Sequence, residues 1–390
     1  MDYNAKLSKV TVSLPPSGIR KFFDLVVGRE DIVSLGVGEP DFSTPMKFCA
    51  PAIEAIKKGK TSYTSNYGLI ELREAIGDYL KRRFKVSYKP AGEMVITVGV
   101  SEALDISLRA IIDPGDEVIV PEPCFVSYVP MIRLAGGNPR ILETSFEDGF
   151  RPRLEQLENL VSPRTKAILI NYPCNPTGVT FSEDDLTRIA GFAKRHNLLV
   201  ISDEVYGELT FDRPHISIAS LPDMWERTIL LSGFSKAFAM TGWRLGYVCA
   251  PKPLIDQIVK IHQYSMMCAS IMAQIAAIEA CRNGDDEVKK MLDEYRARRE
   301  VIVEGFNRLG MDCLRPEGAF YAFPSIKKFG LSSEEFCERL LNEEKVALVP
   351  GNSFGRAGEG HLRCSFSASR ERIRLALEGL DRFLQRRTDS

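Results

Sequence analysis

The chain has 390 residues, of which 44% are hydrophobic and 26% charged, as in an ordinary soluble globular protein. Its 51 basic and 52 acidic residues give a formal net charge of -1, so there is no charge excess to attract nucleic acid or an anionic membrane. Nine cysteines without a C-x-x-C pair and only four histidines argue against a metal site. The same cysteine pattern predicts reduced thiols in a cytoplasmic protein, and the polar N-terminus predicts no signal peptide.

The N-terminal part predicts a short amphipathic helix over residues 19–27 and a short strand within residues 32–42. Gly36 and Gly38 superficially resemble a dinucleotide-binding fingerprint. Pro40 follows too soon for a helix to open on a pyrophosphate, so we reject that interpretation.

Two further helices are predicted over residues 51–58 and 70–84. Between them, residues 63–68 form an aromatic loop that is rich in hydroxyl groups and begins with Tyr63. Such a loop has no obvious core role, and its composition favours a place in an interface.

From about residue 94 the pattern changes to short apolar strands that mostly alternate with helices such as residues 182–195. Near-continuous apolar strands joined by helices predict a mostly parallel sheet covered on both faces. The predicted strands cover residues 95–98, 118–120, 167–170, 198–201, 229–231 and 245–248.

Beyond Pro251 the sequence predicts helices over residues 254–281 and 287–309, followed by a smaller α+β unit. The strand candidates of this unit are residues 318–323, 346–349 and 362–366. The predicted class is therefore α/β, with a large domain over residues 48–289. A smaller α+β domain is predicted from both chain ends, residues 1–47 and 290–390.

Polar residues follow the ends of several predicted strands, where ligands of parallel sheets bind. The turn Gly99, Val100 and Ser101 opens a helix and offers backbone N–H groups, a hydroxyl and a positive helix end to a phosphate. Asn175 lies in an Asn-Pro-Thr-Gly turn and could donate to the phenolate oxygen of a pyridine ring. Taken alone, both segments are also common structural turns.

Asp203 and Tyr206 follow the strand that ends at residue 201. A buried aspartate needs a cationic partner to stay charged, and a pyridinium N–H would supply one. Tyr206 could donate to the oxygen of the same ring. A helix-capping role for Asp203 is the alternative.

The stretch from Ser232 to Gly246 contains Lys236, which has small and apolar neighbours. Burial would lower the pKa of Lys236 and free its amine to attack a carbonyl. Arg244, Ser235 and Ser232 are suited to bind a phosphate. Alone, the stretch could be a turn with a solvated lysine, but a lysine beside a phosphate site is what pyridoxal phosphate requires.

The chain resembles the class I/II aminotransferases, pyridoxal 5′-phosphate enzymes of fold type I that include aspartate and aromatic aminotransferases. The resemblance covers nearly the whole chain. The motifs that carry it are Gly-Glu-Pro-Asp-Phe at 38–42, Asn-Pro-Thr-Gly at 175–178, Ser-Asp-Glu-Val-Tyr at 202–206 and Ser-Lys-Ala-Phe-Ala-Met-Thr-Gly-Trp-Arg-Leu-Gly-Tyr at 235–247.

The resemblance implies a role for individual residues. Lys236 would form the Schiff base with the cofactor and carry protons, Asp203 would pair with the pyridine nitrogen, and Tyr206 with Asn175 would bind the ring oxygen. Further cofactor and substrate contacts are implied for Gly99, Val100, Ser101, Ser235 and Arg244 at the phosphate, Phe125 stacked on the ring, Tyr63 reaching the phosphate of a neighbouring subunit in a homodimer, and Arg363 with Gly38 at the substrate carboxylate.

The implied activity is ping-pong transfer of the amino group of an L-amino acid, of aspartate, aromatic or alanine type, to a 2-oxo acid such as 2-oxoglutarate. A β-eliminating lyase of the same fold and a catalytically silent ligand-sensing domain are the alternatives. Arg20 and Lys21 are candidates to bind a side-chain carboxylate, although a solvated helix face explains them equally well. Gly233 stands where many relatives have a phosphate-binding serine, and Ser232 is the candidate to compensate.

Overall fold

The computed structural model describes residues 1, 3–16, 18–19, 28–29 and 31–388. The helix predicted over residues 19–27 therefore lies almost entirely outside the described residues. None of the helices in the described ranges is both long enough and apolar enough to cross a lipid bilayer.

A seven-stranded sheet forms the centre of the molecule, with the strand order β2-β8-β7-β6-β5-β3-β4. β8 runs antiparallel to both of its neighbours, and the other strands are parallel. The strands are β2 Met94–Thr97, β3 Glu117–Glu122, β4 Asn138–Glu143, β5 Thr165–Asn171, β6 Leu199–Asp203, β7 Thr228–Gly233 and β8 Gly246–Cys249. The six predicted strands are found, and the edge strand β4 was missed.

Helices cover both faces of this sheet because side chains alternate between the faces along each strand. The α-helices among the described residues before 284 are α1 Lys9–Ser13, α2 Met46–Lys57, α3 Ile70–Phe84, α4 Gly99–Ile111, α5 Tyr128–Leu134, α6 Leu154–Glu158, α7 Glu183–Arg195, α8 Lys252–Ser265 and α9 Ile271–Asn283. Met94 and Ile96 of β2 belong to one apolar cluster with α3 and α9, whereas Val95 belongs to another with α4 and α8.

One predicted helix is wrong, because residues 254–281 form two helices rather than one. α8 ends at Ser265, and Met267 has a φ of 70°, which interrupts a right-handed helix. The Asn66 side chain donates to the carbonyl of Met267 at 2.8 Å, a contact between distant residues that the local periodicity does not show.

The smaller unit combines the C-terminal residues with the strand β1 near the N-terminus. β1 Val33–Ser34 pairs in parallel with β10 Val346–Ala347. A second small sheet has the order β11-β12-β9, formed by β11 Val349–Pro350, β12 Leu362–Ser365 and β9 Tyr321–Ala322. Three helices pack with these strands, namely α10 Asp285–Arg308, α11 Ser333–Glu344 and α12 Arg370–Thr388.

This architecture confirms the predicted α/β class with a mostly parallel sheet and a smaller α+β unit. Residues of both chain regions share one apolar cluster, in which Leu35 packs with Val346 and Leu348. The exact division at residues 47/48 and 289/290 stays a prediction.

Candidate active site

A cavity of about 530 Å³ opens where β2, β5, β6 and β7 end, with the smaller unit on its other side. The topology brings together predicted residues that are far apart in the sequence. Those that line the cavity are Gly38, Val100, Ser101, Phe125, Asn175, Asp203, Tyr206, Ser235, Lys236, Arg244 and Arg363.

Asp203 is the last residue of β6 and lies at the buried end of the cavity, 5% exposed. Its carboxylate accepts hydrogen bonds from the Tyr128 hydroxyl at 2.8 Å and from the Val205 N–H at 3.2 Å. Burial raises the pKa of Asp203 to about 6, although the bond from Tyr128 acts in the opposite direction. Because both donors are neutral, the carboxylate is suited to receive a cationic N–H from a ligand.

Lys236 follows β7 by three residues and directs its amine towards the smaller unit, where it donates to the Gly38 carbonyl at 2.7 Å. Burial, together with the positive charge of Arg363, lowers the pKa of Lys236 to about 8. A substantial fraction of the amine is therefore neutral near physiological pH and available as a nucleophile.

At the opposite end of the cavity, Arg244 lies over the turn that begins α4. Gly99 has a φ of 78°, a backbone conformation that favours glycine, and a Cβ added there would approach the Arg244 guanidinium to 2.7 Å. The start of α4 offers free N–H groups beside this cation and the Ser235 hydroxyl. Backbone donors, a hydroxyl and an arginine together fit a phosphate.

Gly233 has no room for the serine that the resemblance suggests. A Cβ at this position would lie 2.9 Å from the Leu245 carbonyl oxygen and 3.1 Å from Val100. Ser232 does not compensate, because it is outside the cavity lining and its hydroxyl donates to the Glu204 carbonyl at 3.4 Å.

Arg363 lies on β12 and is 2% exposed. Its guanidinium donates to the Asn175 side-chain oxygen at 3.2 Å and to the Gly36 carbonyl at 2.5 Å, while the buried Nε has no partner among the described residues. The centres of the Tyr321 and Phe354 rings lie 4.8 and 4.9 Å from the guanidinium carbon of Arg363. These contacts fix the position of the guanidinium, which is suited to bind a carboxylate.

Four further predicted positions are not in the lining of this cavity or cannot be placed. Gly99 contributes backbone behind the lining, and Tyr63 is 79% exposed and belongs to the surface of this chain. Arg20 and Lys21 lie outside the described residues.

Sequence reasoning gave no role to Tyr128 and Tyr321, both of which line the cavity. Tyr128 follows Phe125 by three residues, and that short spacing was an available signal. Tyr321 lies in an apolar stretch, where its ring is indistinguishable from an ordinary core residue.

Residues 30–380 match the family model of aminotransferase class I and II. The chain belongs to this family. It is 53% identical to the protein YugH of Bacillus subtilis, provisionally named an aminotransferase, over 98% of this chain and 99% of that one.

Relatives with named substrates support the same membership. The chain is 46% identical to the aspartate aminotransferase of Pyrococcus abyssi over 95% of this chain and 96% of that one. It superposes on the aspartate aminotransferase of Thermus thermophilus with maleate at a TM-score of 0.92 and 39% identity, covering 96% and 99% of the two chains.

This class I/II aminotransferase is thus a pyridoxal phosphate enzyme of fold type I, as predicted. The cavity fits the cofactor on its own chemistry. The buried acid Asp203 has only neutral donors, the amine of Lys236 has a lowered pKa, and the glycine turn under Arg244 would not accept a larger residue.

Proposed function

We propose that Lys236, Asp203 and Arg363 are the central residues of an L-amino acid aminotransferase that uses a 2-oxo acid such as 2-oxoglutarate as acceptor. The observation that carries this proposal is their position in one cavity, where burial raises the pKa of Asp203 to about 6 and lowers the pKa of Lys236 to about 8. Pyridoxal phosphate supplies an aldehyde that takes up the amino group and a ring that withdraws electrons from the substrate Cα.

Lys236 would hold the cofactor covalently, and its free amine would serve as the general base. Its Nζ would take the proton from the substrate Cα, and a lowered pKa suits it to this task near neutral pH. In the cofactor-free protein this amine donates to the Gly38 carbonyl.

Asp203 keeps the ring nitrogen protonated, and the Tyr128 hydroxyl orients its carboxylate. At the other side of the ring, Tyr206 and Asn175 donate to the ring oxygen. The Asn175 oxygen already accepts from Arg363, so its Nδ2 group remains as the donor. Phe125 contributes a flat apolar contact to the ring.

The phosphate is held by Arg244, Ser235 and the N–H groups at the start of α4, where the helix end adds positive charge. The N–H groups come from the turn Gly99, Val100 and Ser101.

Arg363 binds the α-carboxylate of both substrates, with the backbone of Gly38 nearby. Both half-reactions use the same carboxylate site, which accounts for a ping-pong sequence. Acceptance of aspartate, aromatic or alanine-type donors is part of the proposal. The names of relatives at 46 and 43% identity support the aspartate and the aromatic donors.

A cytoplasmic homodimer completes the proposal. Its support is an exposed surface that carries Tyr63 at 79% and Tyr264 at 93% exposure, together with nine cysteines that are all free. In the dimer Tyr63 reaches the phosphate site of the neighbouring subunit. Sedimentation at equilibrium tests the assembly, since a mass near the 43.6 kDa of one chain would contradict it.

Replacing Lys236 with Ala tests the proposed chemistry. We expect no turnover of any amino donor with 2-oxoglutarate, because both the covalent anchor and the base are lost. Lys289→Ala is the matched control, since that lysine is 76% exposed on α10. Wild-type turnover by Lys236→Ala would refute the assignment.

A panel of amino donors, scored with and without 2-oxoglutarate, then identifies the substrate. Aspartate, aromatic amino acids and alanine are each expected to require the oxo acid. Release of pyruvate and ammonia from cysteine without an oxo acid would instead identify a lyase.

A further inference from the structure

Tyr321 touches both the cofactor side and the substrate side of the cavity. Its hydroxyl lies 2.8 Å from the Tyr206 hydroxyl and 3.4 Å from the Gly38 carbonyl oxygen, and its ring faces the Arg363 guanidinium at 4.8 Å. The side chain is 1% exposed. It is the first residue of β9 and pairs with Ser365 of β12, two residues from Arg363, so Tyr321 and Arg363 lie on the same face of the small sheet.

Counting protons gives the direction of the bond between the two tyrosines. Burial raises the pKa of both hydroxyls, so each keeps its single proton near neutral pH. In the proposed function, Tyr206 donates that proton to the ring oxygen of the cofactor. The 2.8 Å contact must then be donated by Tyr321.

A hydroxyl that accepts a hydrogen bond becomes a better donor itself. Tyr321 therefore strengthens the bond from Tyr206 to the ring oxygen and stabilises that oxygen in its deprotonated form. The competing acceptor is the Gly38 carbonyl, which lies farther away, at 3.4 Å.

The ring of Tyr321 has a separate effect on the substrate side. Together with Phe354 it encloses the Arg363 guanidinium, whose position the cation–π contacts restrict. One substitution can therefore remove the hydroxyl alone, and a second can remove the hydroxyl together with the ring.

We propose that Tyr321 is a positioning residue that acts through Tyr206 on the electronic state of the cofactor and through Arg363 on substrate binding. This inference rests on the roles of Tyr206 and Arg363 in the proposed function. It assigns the two effects to two different parts of one side chain.

The test uses the holoenzyme with Tyr321→Phe and Tyr321→Leu. Removing the hydroxyl alone is expected to raise the midpoint of the pH titration of the cofactor absorbance by about 0.5 pH unit, the equivalent of one modest hydrogen bond, with KM changed less than about twofold. Removing the ring as well is expected to raise the KM for amino acid and oxo acid by about tenfold.

Tyr295→Phe is the matched control. Tyr295 lies in the same apolar cluster and is 0% exposed, and its hydroxyl has no partner among the described residues. We expect its loss to leave both the titration and KM unchanged. An equal shift in Tyr295→Phe would show that the titration midpoint responds to any change in packing near the cavity, and it would overturn the proposal.

Tyr206→Phe separates this inference from the proposed function. If Tyr206→Phe shifts the titration and Tyr321→Phe does not, only the role of the Tyr321 hydroxyl is wrong. If neither shifts it, the role of Tyr206 is wrong as well, and the inference is overturned with it. An unchanged KM in Tyr321→Leu would overturn the proposed effect of Tyr321 on substrate binding.

Discussion

The two ends of the cavity differ in how much of the site one chain completes. At the ring end, Asp203 and Tyr206 are buried and already hydrogen-bonded to Tyr128 and Tyr321. At the phosphate end, Ser101 and Arg244 are exposed. The ring end is therefore organised before the cofactor binds, whereas the phosphate end depends on the phosphate itself and, in our proposal, on Tyr63 of a second subunit.

We therefore expect substitutions at the two ends of the cavity to have different effects. A change at the ring end alters charges in a buried environment, where electrostatic effects are strong, and should lower kcat. A change at the open end should mainly weaken retention of the cofactor.

The largest effect is expected from Asp203→Asn. The amide cannot balance a protonated ring nitrogen, and we expect kcat to fall by about 10³-fold with the cofactor still bound. Steady-state kinetics at saturating pyridoxal phosphate measure this. Asp105→Asn, on the outer side of α4 and paired with Arg109, is the control. A loss below about tenfold would show that the buried carboxylate is not needed.

A smaller and different effect is expected from Arg244→Gln. Losing this charge should weaken pyridoxal phosphate binding by about 10 to 100-fold, because a charge-assisted contact is worth about 1.5–3 kcal/mol. At saturating cofactor, kcat should stay within a few-fold of wild type. Equilibrium dialysis of the cofactor-free protein gives the affinity. A loss of kcat as large as that of Asp203→Asn would remove the distinction between the two ends.

The third expected effect is one of pH and needs no substitution. Because burial lowers the pKa of Lys236 to about 8, its neutral fraction grows about tenfold per pH unit below that value. Attachment of pyridoxal phosphate to the cofactor-free protein should therefore accelerate from pH 6 to 8 and then level off. Stopped-flow absorbance follows the rate. A rate that keeps rising to pH 10 would indicate an ordinary, solvated lysine.

The central sheet was predictable because its strands are apolar on both faces, as in β2 and β6, where nearly every residue is buried. The edge strand β4 was not predicted because its apolar stretch is short and flanked by polar residues, and only Leu142 is buried. Just after the break at Ser265, the Met267 carbonyl accepts a hydrogen bond from Asn66, some two hundred residues away in the sequence. Local periodicity cannot predict a contact of this kind.

Within the site, motifs predicted the residues that would touch the cofactor directly. They did not predict the partners that hold those residues, because the hydroxyls of Tyr128 and Tyr321 acquire their roles only when distant strands meet. The glycine at 233 shows the reverse case. A contact that looked missing has a steric cause, since the backbone of Leu245 and Gly246 occupies the space.

The raised pKa of Asp203 also has a thermodynamic consequence. Above pH 6 the cofactor-free protein must keep a buried charge without a cationic partner, at a cost to folding, and this cost shrinks gradually as the pH falls from about 6 towards the ordinary pKa of 3.8. A ligand that supplies the partner stabilises the folded chain by mass action, by an amount that grows with the logarithm of its concentration. Cofactor supply would thus regulate how much of this enzyme survives in the cell as well as how much of it is active.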